Sequence, residues 1–441
     1  MEGVLYFYPQ IIRMEISQLY KIYQTNPFIQ TDTRKLVPGG LFFALSGANF
    51  DGNQFAAQAL DKGVAYAIVD NADYAVNERC ILVADVLVTL QELANYHRRQ
   101  FEIPFIAITG SNGKTTTKEL IAAVLQTKYK TYATEGNLNN HIGVPLTLLK
   151  IKPGAEIAII EMGANHQKEI EGYCAIAMPT HGLITNCGKA HIEGFGGIEG
   201  VRKGKGELFD YLRSTGGSIF RNADLEYLAP MAIGINTQVT YGSANAEYIG
   251  KQMMNGVFLN VAVMTNHSEA LIESHLVGEY NFPNVMAAVA VGRHFGVSID
   301  DIKLAIATYN PDNSRSQWMQ IGNNQVILDA YNANPTSMKA AIQNFATLNL
   351  PTKLLWIGGM KEMGSEEMNE HRELVELIAN YKWDNVILVG KEFAGLAGQY
   401  QWFSTSAEAA AIVKNNPPRN SAILIKGSRG SKMELMLDGL N

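Results

Sequence analysis

Residues 105–126 read FIAITGSNGKTTTKELIAAVLQ, and this stretch decides the fold. Phe105 to Thr109 is a short, nearly continuous apolar run, the pattern of a strand buried on both faces of a parallel sheet. From Lys114 on, Leu120 pairs with Val124 and Ile121 with Leu125 at i, i+4 spacing, which gives a helix with an apolar face. Between strand and helix lies Thr109-Gly110-Ser111-Asn112-Gly113-Lys114-Thr115-Thr116. Glycines there let the backbone turn so that its N–H groups face phosphate oxygens, and the helix N-terminus adds positive potential. Lys114 is placed to reach the outer phosphates and the Thr115 hydroxyl to bind Mg²⁺. The spacing departs from G-x-x-x-x-G-K-[ST], because Ile108 occupies the first glycine position. An ordinary glycine-rich turn would not need the Lys-Thr pair.

Working outward, AEIAIIEMG (155–163) and HGLITN (181–186) are further apolar runs ending in polar residues. With the first strand and its helix they predict an α/β fold with a central P-loop-type, doubly wound, mostly parallel sheet over 104–311. Residues 215–275 read as a β-rich insertion. Beyond Pro311, VILDA, KLLWIGG, NVILVG and SAILIKG are strand-like runs separated by helix-length segments. They predict a Rossmann-like C-terminal domain over 312–441. Upstream, DTRKLVPGGLFFAL reads as a turn and a strand, FAAQALDKGVAYAIVD as helix, stop and strand, and QELANYHRRQ as a helix ending at a boundary. These make an N-terminal domain over 1–103. Residues 1–13 read as an extension ahead of a more natural beginning at Met14. Phe101 to Pro104 and the region of Pro311 are candidate hinges.

The 441 residues suit three domains at about 150 residues each. Hydrophobic residues are 47% and charged residues 18%, an ordinary globular balance. A formal charge of −6 argues against a general nucleic-acid binder. No run approaches the roughly 18 apolar residues of a membrane span. Three cysteines without metal-type spacing fit a reduced, cytoplasmic protein.

Two strand ends carry candidate metal ligands on the phosphate loop's side of the sheet, Glu161 and, just past HGLITN, His191. A hard oxygen and a histidine there suit Mg²⁺ bridging nucleotide phosphates. A helix cap and a structural histidine are the plain alternatives. Cys187 near His191 lacks a third group to orient the histidine, so it reads as a small buried side chain. The H-x-E at 191–193 has no P-C-x-x-C after it, and the glycine run 194–200 is one place out of step with G-x-G-x-x-G. On charge alone, Val201–Glu207 (VRKGKGE) is a solvated basic face.

TGSNGKTTTKEL, GNLNNHIGVPLTLL, EMGANH, ITNCGKAHIEGFG, KGKGELF, GEYNFPNVMAAVA and DAYNANP occur in one order along the chain. Together they resemble the Mur ligases over essentially all of 14–441. The resemblance implies three domains. The first binds a UDP-sugar end, the second ATP, and the third ATP from the other side and an incoming amine. It implies ATP and two Mg²⁺ ions as cofactors, with Lys114, His191 and Lys205 as the candidate catalytic residues. Gly110, Ser111, Asn112, Gly113, Lys114, Thr115 and Thr116 would cradle the phosphates. Thr115, Glu161, His191 and a carbamylated Lys205 would hold metal, Lys203 being the rival lysine. Asn281 and Asn284 would contact adenine, with Tyr280 where a histidine is common. Arg315, Asp329 and Tyr331 would lie near the ribose and outer phosphate. Thr33, Arg34, Asn137, Asn139, Asn140, Asn332 and Asn334 would contact the muramoyl substrate or complete its loop. DAYNANP, the DTRKLVPGGLFFAL opening and the lack of a D-N-P-R motif favour the member that adds D-alanyl-D-alanine to UDP-N-acetylmuramoyl-tripeptide in peptidoglycan synthesis. The reading expects a monomer without nucleic-acid partners. Alternatives are another ligase of this type such as folylpolyglutamate synthase, a non-catalytic nucleotide-binding protein on the same fold, or a P-loop ATPase. Lys426-Gly427-Ser428-Arg429 after the last strand would gather anionic groups or be a surface loop.

Overall fold

The computed structural model describes residues 14–265, 268–350 and 352–440. The predicted extension at 1–13 lies outside them. Three α/β units follow one another. The first carries a four-stranded parallel sheet with strand order Ile29–Gln30, Leu41–Phe43, Tyr66–Val69, Cys80–Leu82. The helix Val86–Arg98 packs beside it, started by the Asp85 carboxylate accepting from Val88 N at 2.8 Å.

The second unit is built on a nine-stranded sheet. Phe105–Thr109 lies between His181–Ile184 and Ile157–Glu161, parallel to both. Every residue of Phe105–Thr109 and Ile157–Glu161 is buried, which is why both read as unbroken apolar runs rather than alternating ones. The register sets Ile108 beside Glu161 and Thr109 beside Ile184, so these strand ends share one rim. The helix Lys114–Gln126 has the bounds its periodicity predicts. Residues 215–275 are rich in strands, as expected, but they are not an insertion. Ser218–Asn222, Thr237–Gly242 and Tyr248–Asn255 continue the parallel sheet, and Phe258–Met264 and Glu269–Ile272 extend it with antiparallel pairing. The shorter alternating pattern reflects a sheet covered less completely towards this end: Tyr248–Asn255 is mostly exposed or half-buried.

The third unit has a six-stranded sheet. Its order is Gln317–Ile321, Asn324–Asp329, Ala422–Lys426, Lys353–Gly358, Asn385–Val389, Gln401–Phe403. All its pairings are parallel except the hairpin at the 317–321 edge.

The junctions between units are packed. One core runs from Leu19, Leu41 and Leu90 of the first unit to Phe105, Ile160 and Leu208 of the second. The Arg98 guanidinium lies 3.6 Å over the Phe105 ring, and its nitrogens donate to the carbonyls of Ala177, Met178 and Phe101, each at 2.8 Å. At the second predicted hinge, Tyr309 Oη and Asn313 Nδ2 donate to Glu119 of the phosphate helix at 2.5 and 3.0 Å. Both segments lack regular structure, as a hinge requires, yet each is tied to the central unit.

The helix Phe282–His294 is buried from Asn284 to Gly292 and packs on Lys114–Gln126. A Cβ at Gly292 would lie 2.5 Å from Val124 Cγ1 and 3.1 Å from Ile302 Cδ1, so the two helices approach closely only because this position has no side chain. Gly292→Val should lower stability by about 1–3 kcal/mol through overpacking. Urea unfolding reads this as a lower midpoint, and an unchanged midpoint would refute the close approach.

Candidate active site

The phosphate loop is held from below by the end of the neighbouring strand. Thr185 Oγ1 donates to Asn112 O at 2.6 Å. Asn186 Oδ1 accepts from Asn112 N at 3.1 Å, and its Nδ2 donates to Asn112 O at 3.1 Å. The Ser111 hydroxyl and Gly188 backbone exchange hydrogen bonds at 3.0 Å in both directions. Two glycines make this possible. Gly110 has φ +146°, and a Cβ there would sit 2.0 Å from Thr185 Oγ1. Gly113 has φ +80° and a Cβ would meet Asn284 Oδ1 at 2.6 Å. Thr185, Asn186 and Gly188 were not picked out from the sequence as loop supports. Their signal was the polar Thr-Asn pair ending the HGLITN strand.

Above the loop lies a cavity of 510 Å³ between the central and C-terminal units. Ser111, Asn112, Gly113, Lys114, Thr115 and Thr116 form one wall; Asn137, Asn139, Asn140, Glu161 and His191 form another. Tyr280, Asn281, Asn284, Arg315, Asp329, Tyr331, Asn332, Asn334 and Lys426 complete it. Of the predicted site residues, Gly110 is the loop's turn, Lys205 lies beneath, and Thr33 and Arg34 line neither this cavity nor the 320 Å³ one beside Gln30 and Leu146. Arg34 is exposed and forks onto the Asp32 carboxylate at 2.8 and 2.9 Å. Every other predicted position lines the cavity.

Lys114 Nζ donates to the loop's own carbonyls, Gly110 O at 2.7 Å and Ser111 O at 3.3 Å. Burial lowers its pKa to about 8, partly opposed by the nearby Glu161 carboxylate and reinforced by Arg315. Such an ammonium lacks a full counter-charge, and an incoming phosphate would supply one. Thr115 Oγ1 and Asn139 Nδ2 donate to Glu161 Oε1 at 3.2 and 2.7 Å, while Glu161 Oε2 is buried without a partner. An unpaired buried carboxylate oxygen beside a hydroxyl is the donor set of a hard cation. Among the described residues no three His, Cys, Asp or Glu side chains converge as a closed cage, so a cation here would need phosphate and water oxygens to complete its shell.

His191 caps the short helix Ile192–Phe195 from the left-handed region, at φ +53°. Its Nδ1 lies 2.5 Å from Glu362 Oε2 of the C-terminal unit, a close contact without the alignment of a hydrogen bond. Beside His191, the Glu362 carboxyl is held below its usual range.

Lys205 is not on a solvated face. It is 2% exposed on the helix Ile198–Thr215, where Val201, Leu208 and Leu212 share the buried side, whereas Lys203 points to solvent. Charge composition could not reveal this; helical position does. Lys205 Nζ donates to Ala164 O at 3.0 Å and lies 4.9 Å from the Phe195 ring centroid. Burial, then repulsion from Lys114, brings its pKa down to about 7. Desolvation outweighs the opposing influence of Cys187, Glu169 and Glu207.

Asn284 Nδ2 donates to Asn281 Oδ1, and Asn281 Nδ2 to Val277 O, both at 2.8 Å. Tyr280 Oη bonds Ser316 Oγ at 2.8 Å, fixing this wall to the linker. Arg315 stacks 3.7 Å over the Tyr331 ring, with its Nε buried and unpaired. Lys426, 1% exposed, is neutralised by Asp329 at 2.5 Å. Asn140 Oδ1 caps the helix Gly143–Leu148 through Gly143 N at 2.9 Å. Asn334 starts the helix Pro335–Thr347, accepting from Ser337 N at 2.9 Å, and its Nδ2 donates to Asn112 Oδ1 at 2.7 Å across the domain interface. Its polar atoms are thus used in capping and in bridging to the phosphate loop.

Residues 27–98 match the Mur ligase family catalytic domain, 108–292 the Mur ligase middle domain and 314–429 the Mur ligase glutamate ligase domain. The chain belongs to the Mur ligase family. It is accordingly an ATP-dependent enzyme that forms an amide bond. The UDP-N-acetylmuramoyl-tripeptide–D-alanyl-D-alanine ligase of Bacillus subtilis strain 168 is 35% identical to it, over 93% of this chain and 92% of that one. A crystal structure of MurF from Acinetobacter baumannii superposes with a TM-score of 0.86 at 30% identity, covering 96% of this chain and 98% of that one. MurF ligase from Thermotoga maritima, solved in complex with ADP, shares the fold at TM-score 0.84 and 24% identity, covering 94% and 97%.

Gly110→Ala tests the loop geometry of this Mur ligase. The clash with Thr185 should weaken ATP binding about tenfold or more, taking about 1–3 kcal/mol for the overpacking. Titration calorimetry with a non-hydrolysable ATP analogue measures this; unaltered affinity would show that the loop does not need the glycine.

Proposed function

We propose that this enzyme joins D-alanyl-D-alanine to UDP-N-acetylmuramoyl-tripeptide, the step that completes the cytoplasmic pentapeptide precursor of peptidoglycan. The observation that carries the reading is the cavity itself. It sets a clamped phosphate loop, a half-buried lysine and an unpaired carboxylate oxygen opposite the Arg315–Tyr331–Asn332 wall of another unit. Relatives that match this chain over nearly its whole length and carry that activity in their names support the choice of substrates.

In the proposed reaction the tripeptide's terminal carboxylate attacks the γ-phosphorus of ATP, the bond to the bridging oxygen breaks, and ADP leaves with its electron pair. The amine of the dipeptide then attacks the acyl carbon, loses a proton, and expels inorganic phosphate. The obstacle is charge: a carboxylate must approach a triphosphate. Lys114 and the loop N–H groups would hold the phosphates, with Gly110 to Thr116 setting their direction. Asn281 and Asn284 would receive the adenine, and Arg315, with its free Nε, an outer phosphate or the ribose. Thr33, Arg34, Asn137, Asn139, Asn140 and Asn332 are proposed contacts of the muramoyl substrate. Two Mg²⁺ ions held by Thr115, Glu161, His191 and a carbamylated Lys205 would spread the charge of the transferring group. Closure of the C-terminal unit would keep water from the acyl phosphate.

The chemistry of Lys205 fits that modification. With its pKa near 7, much of the amine is uncharged at neutral pH and can add CO₂, forming a carbamate and releasing one proton. Below pH 7 the ammonium dominates and cannot react.

Omitting ATP, tripeptide or dipeptide in turn should abolish dipeptide-dependent phosphate release. Release undiminished without the tripeptide would sink the reading. Lys114→Ala should reduce kcat/KM by at least about 10²-fold, the scale of one lost transition-state donor. Lys205→Ala should be inactive and partly rescued by formate or acetate. In the wild type, CO₂-stripped buffer should lower activity, more so below pH 7 than above it, and bicarbonate should restore it.

A further inference from the structure

We propose that Glu362, on the C-terminal unit, is a positioning residue for His191, so that the histidine's metal-binding orientation is completed from another domain. This rests on the reading of His191 as a cation ligand. One ring nitrogen of His191 faces the Glu362 carboxylate at 2.5 Å, and the ring lines the cavity shared with Thr115 and Glu161. A carboxylate in close contact with one imidazole nitrogen favours the proton on that nitrogen and leaves the other with its lone pair free for a cation. Among the described residues, no other side chain is in hydrogen-bond or ion contact with that ring.

Three observations make the contact a built one. Both residues sit in the left-handed region, His191 at φ +53° and Glu362 at φ +64°, where side-chain-bearing residues are uncommon. The turn carrying Glu362 is fixed by the fully buried His371: Met360 N donates to its Nε2 at 3.0 Å, and its Nδ1 lies 2.6 Å from Glu367 O. His371 is therefore neutral, with one nitrogen accepting and the other donating. Finally, the next residue back, Glu370, is 6% exposed and accepts from Lys189 Nζ at 2.8 Å, two residues before His191. The 189–191 segment and the 360–370 segment thus meet at two separate charged contacts.

The second contact supplies the control. Glu362→Gln keeps the side chain's size but removes the charge. It should weaken Mn²⁺ binding, measured by water-proton relaxation in the presence of a non-hydrolysable ATP analogue, by about 10–100-fold at the weaker site. ¹⁵N spectra of labelled imidazoles should show the His191 tautomer ratio shifting, with the resonance assigned by His191→Gln. ATP-analogue affinity without metal should stay at the wild-type level, which shows that the variant is folded. Lys189→Ala breaks the neighbouring interdomain pair without touching His191 and should leave Mn²⁺ affinity unchanged. Wild-type Mn²⁺ affinity and tautomer in Glu362→Gln would overturn the proposal, as would equal weakening by Lys189→Ala, since closure alone would then be responsible. If the wild type itself binds no Mn²⁺ with the analogue, the metal role of His191 fails with it, whereas the phosphate-release assay judges the ligase reading independently.

Discussion

The structure depends on how closely two parallel strands let a glycine turn pass between them. Gly110 crosses the end of His181–Ile184 with no room for a β-carbon, and Thr185, Asn186 and Gly188 take up polar groups of the 111–112 backbone and the Ser111 hydroxyl. The loop is therefore preorganised before any phosphate arrives, and the Lys114–Gln126 helix starts from a fixed point. Because strand register puts Glu161 beside the same rim, the anion cradle and the carboxylate proposed to hold a hard cation come from adjacent strands. Rigidity here allows the rest of the cavity to be assembled from other units.

The electrostatics follow from that enclosure. Two lysines near the loop are pushed by burial towards their neutral forms, one at the phosphate cradle and one beneath it. They repel one another, and among the described residues neither has a carboxylate in hydrogen-bond contact. Opposite them, Glu161 keeps an oxygen with no partner. These are costly arrangements in a dry interior. They make sense as a site whose charges are balanced only when anions and cations enter together. Lys426 shows the contrast: as buried as Lys205, but paired to Asp329, it is an internal neutral unit.

The C-terminal unit is more than a lid. Asn334 bonds the phosphate loop, Glu362 meets His191, and Glu370 meets Lys189, so its strand and helix ends reach into the central unit's machinery at several points. Domain closure and site geometry are thereby linked, which suits a reaction whose intermediate must be shielded from water.

The sequence by itself determined the three-unit α/β architecture, the phosphate loop with its helix, and the wall formed by 329–335. Each is local: fully buried strands write unbroken apolar runs, and a glycine turn before Lys-Thr writes its own signature. Helix Lys114–Gln126 came out with its observed ends for that reason. What only the tertiary structure decided is everything set by contacts between distant segments. The basic run 201–207 looked solvated because composition does not say which helix face meets the core, and Lys205 lies on the buried one. Residues 215–275 looked inserted because strand pairing partners are not encoded in alternation. The DAYNANP motif does not say that the Asn334 amide reaches Asn112, 222 positions away. Glu362 carried no motif at all, since its meaning lies in a histidine on another domain.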